Sequence, residues 1–259
     1  KRQESGKLIT PKRPRIHEQV IDILLRRMVR GEYPVGSKLP TERALAAEFG
    51  VNRTTLREAL RYLENLDLVA IRQGDGARVR DYRESGNLQT AKALLQVDDA
   101  MGREVLTAVM EVRRMLCPEI AYLAALRRSE AHLALLRRVA FDAPGLSILE
   151  RDKRVHRVIG QASGNLIYVL NTNFYEEFFD YAEDLYFANP TNAQRSEQFH
   201  REIYAAIEKQ NASDAHKVMV EVLTYAETAI YTTLSRGERG GSGGEAGFFQ
   251  GKTRSRVLG

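Results

Sequence analysis

Cysteine is nearly absent: the 259 residues hold one, Cys117. A single thiol excludes an internal disulfide and fits a reducing compartment. Cys117 lies in an apolar helical run, so it is expected to be a buried, inert thiol rather than a nucleophile. Long apolar runs are missing too. Nothing approaches the ~18 consecutive apolar residues of a membrane span, and no signal-peptide h-region is visible. A cytoplasmic protein without membrane contact is expected. No P-loop and no nucleophile elbow occur. Beyond Gly86 there is no strand pattern and no internal repeat.

What is present is ordinary in bulk. The chain is 43% hydrophobic and 28% charged, enough apolar residues for real cores, and its length suggests about two domains. The net charge of +5 and pI near 9.3 suit an anionic partner, although a basic pI alone is weak support. Residues 1–14 are rich in Lys, Arg and Pro and read as a disordered basic tail, or as an arm that brushes phosphates. Residues 236–259 are rich in Gly and Ser and read as a second disordered tail.

The informative stretch is 39–79, LPTERALAAEFGVNRTTLREALRYLENLDLVAIRQGDGARV. Thr41 is a helix N-cap, and Ala44, Leu45 and Phe49 give that helix an apolar face. Gly50 supplies the positive-φ turn. Asn52 caps a second helix, in which Leu56, Ala59, Leu60 and Leu63 recur at spacings of three and four. Its other side carries Arg53, Thr54, Arg57 and Arg61. Val69 and Ile71, then Gly74-Asp75-Gly76, then Ala77 and Val79 read as a hairpin wing.

Two helices joined by a Gly turn form a helix-turn-helix, whose second helix enters the major groove at its N-terminal end. Arg53 can fork onto guanine. Thr54 and Thr55 can donate to phosphate, helped by the helix N-terminus. Arg43 and Arg57 add cations, with no anion expected in that patch. Arg72, Gln73 and Gly74 form a tip that can reach the neighbouring groove. The bland alternative is an amphipathic hairpin with a solvated basic face. Agreement between caps, basic face and wing favours DNA.

Before this head, a helix over 16–30 is expected to bury Val20, Ile23, Leu24 and Met28 behind it. After it, the polar run DYRESG (81–86) marks the domain boundary, giving domains at 15–81 and 82–235. The second reads as all helix. Val105, Val109, Val112, Leu116, Ile120 and Leu123 form one stripe, with Pro118 expected to kink it. Further helices are expected over 129–139, 147–161, 166–186, 193–210 and 213–235. Asp152 and His156 share a helix face, and His200 lies on a later helix of the same bundle. Such a set can bind a divalent cation. It can equally be an exposed pair worth about 0.3 kcal/mol plus a buried histidine.

LPTERALAAEFGVNRTTLREAL resembles the signature of the GntR family of bacterial winged-helix repressors. The resemblance implies a mainly α protein: an N-terminal winged helix-turn-helix domain plus a C-terminal all-α helical-bundle effector domain. It implies a homodimer on a palindromic double-stranded DNA operator, and it places Arg43, Asn52, Arg53, Thr54, Thr55, Arg57, Gln73 and Gly74 at the DNA. The second domain resembles the FadR branch of that family. Many of its members hold a metal (zinc, nickel or manganese) through an Asp-x-x-x-His pair and two later histidines. Asp152, His156 and His200 match three positions. The fourth falls near Val222, which cannot ligate, and His216 lies on a different face.

Arg113 matches an arginine that faces the effector; its alternative is a surface ion pair with Glu111 or Glu119. ASGNLIYVL (162–170), YFANP (186–190) and ESGNL (84–88) are similar to the fatty-acid-responsive members, which bind long-chain acyl-CoA without a metal. Tyr225 is their match in the last helix. The cluster Phe174, Tyr175, Phe178, Phe179 and Tyr181 can line an acyl pocket or simply fill the core. The expectation is a transcriptional regulator, not an enzyme. It requires no cofactor, and its expected effector is a long-chain acyl-CoA of fatty-acid metabolism, with a small organic acid held through a divalent metal as the alternative. Ligand binding would shift the spacing of two DNA heads. A metal-dependent hydrolase using Asp152, His156 and His200 is the rival reading, and a sensor that has lost DNA binding is a third.

Overall fold

A computed structural model describes residues 15–182, 186–187 and 189–240, with side chains left aside at 177–182 and 236–240. Phe178, Phe179 and Tyr181 of the aromatic cluster, and both tails apart from the backbone of 236–240, therefore lie outside the described residues. The chain divides into two compact units between Val105 and Leu106.

The first unit opens with α1 (Ile16–Val29). It buries Val20, Ile21, Leu24 and Leu25, whereas Ile23 is partly exposed. The inward face is thus rotated from the expected one, because α1 packs across α3 (Arg53–Asn65). Helix α2 (Glu42–Glu48) begins at Thr41, whose Oγ1 accepts from the Ala44 amide at 3.2 Å. It buries Leu45 and Ala46 and leaves Ala44 in solvent. Gly50 makes the turn at φ +64. Asn52 Oδ1 then accepts from the Thr55 amide at 2.8 Å, and α3 buries Leu56, Ala59, Leu60 and Leu63 as expected.

The wing is β1 (Val69–Arg72) antiparallel to β2 (Gly76–Val79), in register Val69↔Val79 through Arg72↔Gly76. Gly74 and Gly76 both take positive φ at its tip, which a Cβ would strain. Lys38 bridges to Arg78 on the open edge of β2.

Residues 81–97 correct the expected boundary. They belong to this unit. Asp81 caps the short α4 (Tyr82–Ser85), and Asn87 caps α5 (Leu88–Leu94). Ser85 Oγ donates to the Asp67 carbonyl at 2.8 Å, and Thr90 Oγ1 to the Leu66 carbonyl at 2.7 Å. Arg26 of α1 donates to the carbonyls of Gln96 and Val97. The polarity of this run reflects capping and docking, not solvation.

The second unit is helical throughout its described residues. It holds α6 (Asp99–Arg127) from Leu106 on, α7 (Glu130–Phe141), α8 (Ile148–Ala162), α9 (Leu166–Ala182), α10 (Pro190–Glu208) and α11 (Ala212–Gly240). Helix α6 runs on through Pro118. Ser129, Ser147 and Asn189 cap α7, α8 and α10. Helix α8 packs between α7 and α9, and α10 lies against α7, α8 and α11. Gly160 allows the α8–α9 approach, since a Cβ there would meet Thr172 Oγ1 at 2.8 Å. Arg128 donates to the carbonyls of Ile207 and Glu208 and so closes the C-terminal end of α10.

Cys117 is buried, and that burial pushes its thiol pKa up. A thiolate-directed reagent at about pH 8 should leave the native protein unlabelled while labelling denatured chain one to one. Equal labelling rates for native and denatured protein would contradict this placement.

Candidate functional site

The winged unit exposes the basic side chains singled out for DNA. Arg53, Thr54 and Arg57 project from the first turns of α3, with Thr55 half-buried beside them. Arg43 is exposed on α2, and Arg72, Gln73 and Gly74 are exposed at the wing tip. One expectation is corrected. An anion does enter this patch: Arg57 Nε donates to Glu42 Oε2 at 2.7 Å. The pair is open to solvent, so it adds little stability, but it points the guanidinium along α3. Asn52 is exposed and commits its Oδ1 to the α3 cap. At the wing, Asp75 accepts from both Lys38 and Arg78, and these partners hold its carboxyl below the usual range, the Lys38 hydrogen bond most.

In the second unit, the polar residues singled out from sequence converge. Asp152, His156 and His200 are 5%, 7% and 1% exposed, so the exposed-pair reading of Asp152–His156 fails. His200 Nε2 and Asp152 Oδ1 share a hydrogen bond at 2.9 Å, and His156 Nε2 stands 3.7 Å from Asp152 Oδ2. Arg113, 7% exposed, belongs to the same cluster rather than to a surface ion pair. Burial alone would raise the Asp152 pKa, but the His200 hydrogen bond first, and then the nearby imidazoles and the Arg113 guanidinium, hold it lowered. Burial pushes His156 down to about 4, against the pull of Asp152 and with the help of Arg113. His156 is therefore neutral near pH 7.

His200 stands behind Asp152, and Arg113, Asp152 and His156 form the floor of a cavity of about 630 Å³, counted with the open solvent at its mouth. Its walls are apolar, with Val109 and Met110 from α6 and Val222, Ala226 and Ile230 from α11. Tyr175, Tyr186, Phe187 and Ser196 complete it. Tyr225 does not line it. Its hydroxyl donates to Asn192 Oδ1 at 2.9 Å, and Asn192 Nδ2 donates to the Tyr186 carbonyl at 2.6 Å. Tyr225 thus supports Tyr186, which does face the cavity. Phe174 packs beside Tyr175, ring to ring at 5.9 Å. The sequence reading missed Phe187, Ser196 and Ile230. Only the YFANP run, which contains Phe187, offered a signal.

Among the described residues, no group of three or more His, Cys, Asp or Glu side chains is arranged to hold an ion. Asp152 and His200 are joined by a hydrogen bond, the position on the last helix is Val222, and His216 pairs with Glu119 instead, at 3.5 Å.

Comparison with known proteins agrees with this two-part layout. Residues 16–79 match the model for "Bacterial regulatory proteins, gntR family", and residues 108–225 match the FCD domain. The regulator LutR of Bacillus subtilis is 30% identical over 210 residues, covering 77% of this chain and 94% of that protein. The chain belongs to the gntR family of bacterial regulatory proteins. It is a DNA-binding transcriptional regulator with an FCD domain, and not the hydrolase considered above. Mce2R of Mycobacterium tuberculosis is 38% identical over 121 residues, and this match spans 47% of the chain and half of that regulator's length. A fatty acid metabolism regulator protein of Edwardsiella ictaluri is 30% identical over 174 residues, 65% of this chain and 71% of that one. The solved structure of Lar from Listeria monocytogenes shares the fold, with a TM-score of 0.53 at 18% identity over 85% of this chain and 99% of that one.

For a gntR-family head, base-reading and phosphate-holding cations should separate on mutation. Arg53→Ala should cost about 1–3 kcal/mol on a selected site and flatten the preference at one base pair. Arg57→Ala should weaken all sequences alike and reduce the salt slope by about one. Anisotropy titrations at several salt concentrations check both, and identical profiles for the two variants would refute the division.

Proposed function

We propose that this regulator binds a palindromic operator as a homodimer in the cytoplasm, and that an organic acid in the FCD cavity sets its affinity. The observation that carries the reading is Arg113, a guanidinium buried at the floor of a cavity whose walls on α6 and α11 are apolar. A buried guanidinium recognises a carboxylate through charge-assisted, often bidentate hydrogen bonds, while the walls formed by α6 and α11 take the apolar body of the acid. Effector binding then changes DNA affinity by as much as it discriminates between two states of the protein.

Long-chain acyl-CoA is the second reading, supported by relatives named fatty acid metabolism regulators. It fits less well, because a CoA group carries several phosphate charges and, among the described lining residues, Arg113 is the one Lys or Arg. A zinc, nickel or manganese ion at Asp152, His156 and His200 remains the alternative that their convergence supports, and the metal content of purified protein decides it.

Calorimetry of chelator-treated protein against a panel of organic acids and acyl-CoAs tests the assignment. Saturable heat with one ligand per chain is expected for an acid, with Arg113→Met weakening it roughly 10- to 100-fold. Tight binding of acyl-CoA that survives Arg113→Met, with no acid bound, would overturn the assignment.

A further inference from the structure

The outer half of the wing has little packing to hold it. Along β1, Val69 is buried and Ala70 half-buried, whereas Ile71 and Arg72 are exposed and lead to the tip at Gln73 and Gly74. On the β2 side, polar contacts brace this region. The Leu39 amide donates to the Ala77 carbonyl at 2.8 Å, Arg78 Nη1 donates to the Gly36 carbonyl at 3.1 Å, and Asp75 accepts from Lys38 and Arg78.

The other edge of the wing belongs to β1. In an antiparallel pair, the backbone groups of successive residues point alternately toward the partner strand and away from it. The Leu68 carbonyl points toward β2, since it accepts from the Arg80 amide. By that alternation Ala70 also faces β2, and Ile71 turns its amide outward. Glu64 meets it there: its Oε1 accepts from the Ile71 amide at 2.9 Å. Water would satisfy an exposed amide as well, so the bond adds something other than satisfaction. Glu64 lies in the last turn of α3. A carboxylate there opposes the helix macrodipole, which favours cations at the C-terminal end. It also adds an anion to a head that binds a polyanion. Neither helix stability nor charge accounts for this residue. What it supplies is a tie between α3, which carries Arg53 at its other end, and the strand that leads to the wing tip.

We propose that Glu64 is a positioning residue for DNA recognition: its hydrogen bond to the Ile71 amide fixes the wing against α3. Arg72, Gln73 and Gly74 then meet the DNA while Arg53 sits in the major groove. This rests on the reading that the wing tip reaches DNA. Glu64 acts through the strand and not by touching DNA itself. Its reach therefore matters and its charge does not. Glutamine keeps an acceptor oxygen at the same reach without the charge. Aspartate keeps the charge but is one methylene too short. A purely electrostatic role predicts the reverse order, since only glutamine removes an anion that repels phosphate.

The experiment is an anisotropy titration of the full chain on an operator selected from random DNA. It compares wild type, Glu64→Asp, Glu64→Gln, and a tip variant carrying Arg72→Ala and Gln73→Ala. Glu64 is not buried, so neither of its substitutions opens the core, and thermal unfolding checks that each variant is folded. The tip variant should bind more weakly than wild type. Glu64→Asp should bind about 3- to 10-fold more weakly, and Glu64→Gln within about twofold of wild type. Adding Glu64→Asp to the tip variant should cost nothing further, because the two act through one contact. In the free protein, hydrogen exchange at the Ile71 amide should quicken in Glu64→Asp and not in Glu64→Gln. Wild-type affinity in Glu64→Asp, equal weakening by Asp and Gln, or a further loss on top of the tip variant would overturn the positioning role while leaving the wing at the DNA. A tip variant that binds as tightly as wild type would take the wing out of DNA recognition, and this inference with it.

Discussion

A guanidinium and a carboxylate taken out of water in the middle of a helical bundle set the terms for the rest of the second unit. Arg113 and Asp152 are both nearly inaccessible, and each would cost several kcal/mol if left without a partner. The His200 hydrogen bond to Asp152, the neutral His156 beside it and the Arg113 charge offset that cost together. They can do so only if α6, α8 and α10 converge at one level. The apolar packing of the bundle therefore serves a polar centre that does not stabilise it cheaply. Such a centre is better explained by a ligand than by folding, since well-packed apolar residues would fill the same space with equal or greater stability.

The winged unit follows a different logic. Its core is a dry junction of α1, α2 and α3 around Leu24, Leu45, Leu56 and Leu63, and its charged side chains stay in solvent. There the ion pairs organise rather than stabilise. Glu42 directs Arg57, and Asp75 ties Lys38 and Arg78 around the wing. A nucleic acid meeting this surface would compete for cations that are already placed, which favours oriented binding over loose charge attraction.

Much of this was legible in the sequence where local chemistry decides structure. The caps at Thr41 and Asn52, the Gly50 turn, the buried face of α3 and the two-stranded wing follow from propensity and periodicity alone. The errors arose where partners far along the chain decide. Ile23 and Ile21 are equally apolar, and only the crossing of α1 over α3 selects Ile21. The DYRESG run (81–86) looks like a domain boundary until Ser85 and Thr90 are seen to serve the carbonyls of Asp67 and Leu66. Spacing put Asp152 and His156 on one face, but no local pattern shows that the face is buried. Tyr225 has the residue type of a cavity wall and lies one helical position away from being one. Cavities are the least legible feature of all, because they are where several inner faces fail to meet.

The central claim is that the FCD cavity controls the DNA head. The direct measurement is the affinity of the purified regulator for an operator selected from random DNA, read by fluorescence anisotropy with and without a saturating cavity-binding acid. The account predicts a shift of about five- to 150-fold, a coupling of 1–3 kcal/mol, that disappears in Arg113→Met. An operator affinity that stays the same while calorimetry shows the cavity filled would contradict it.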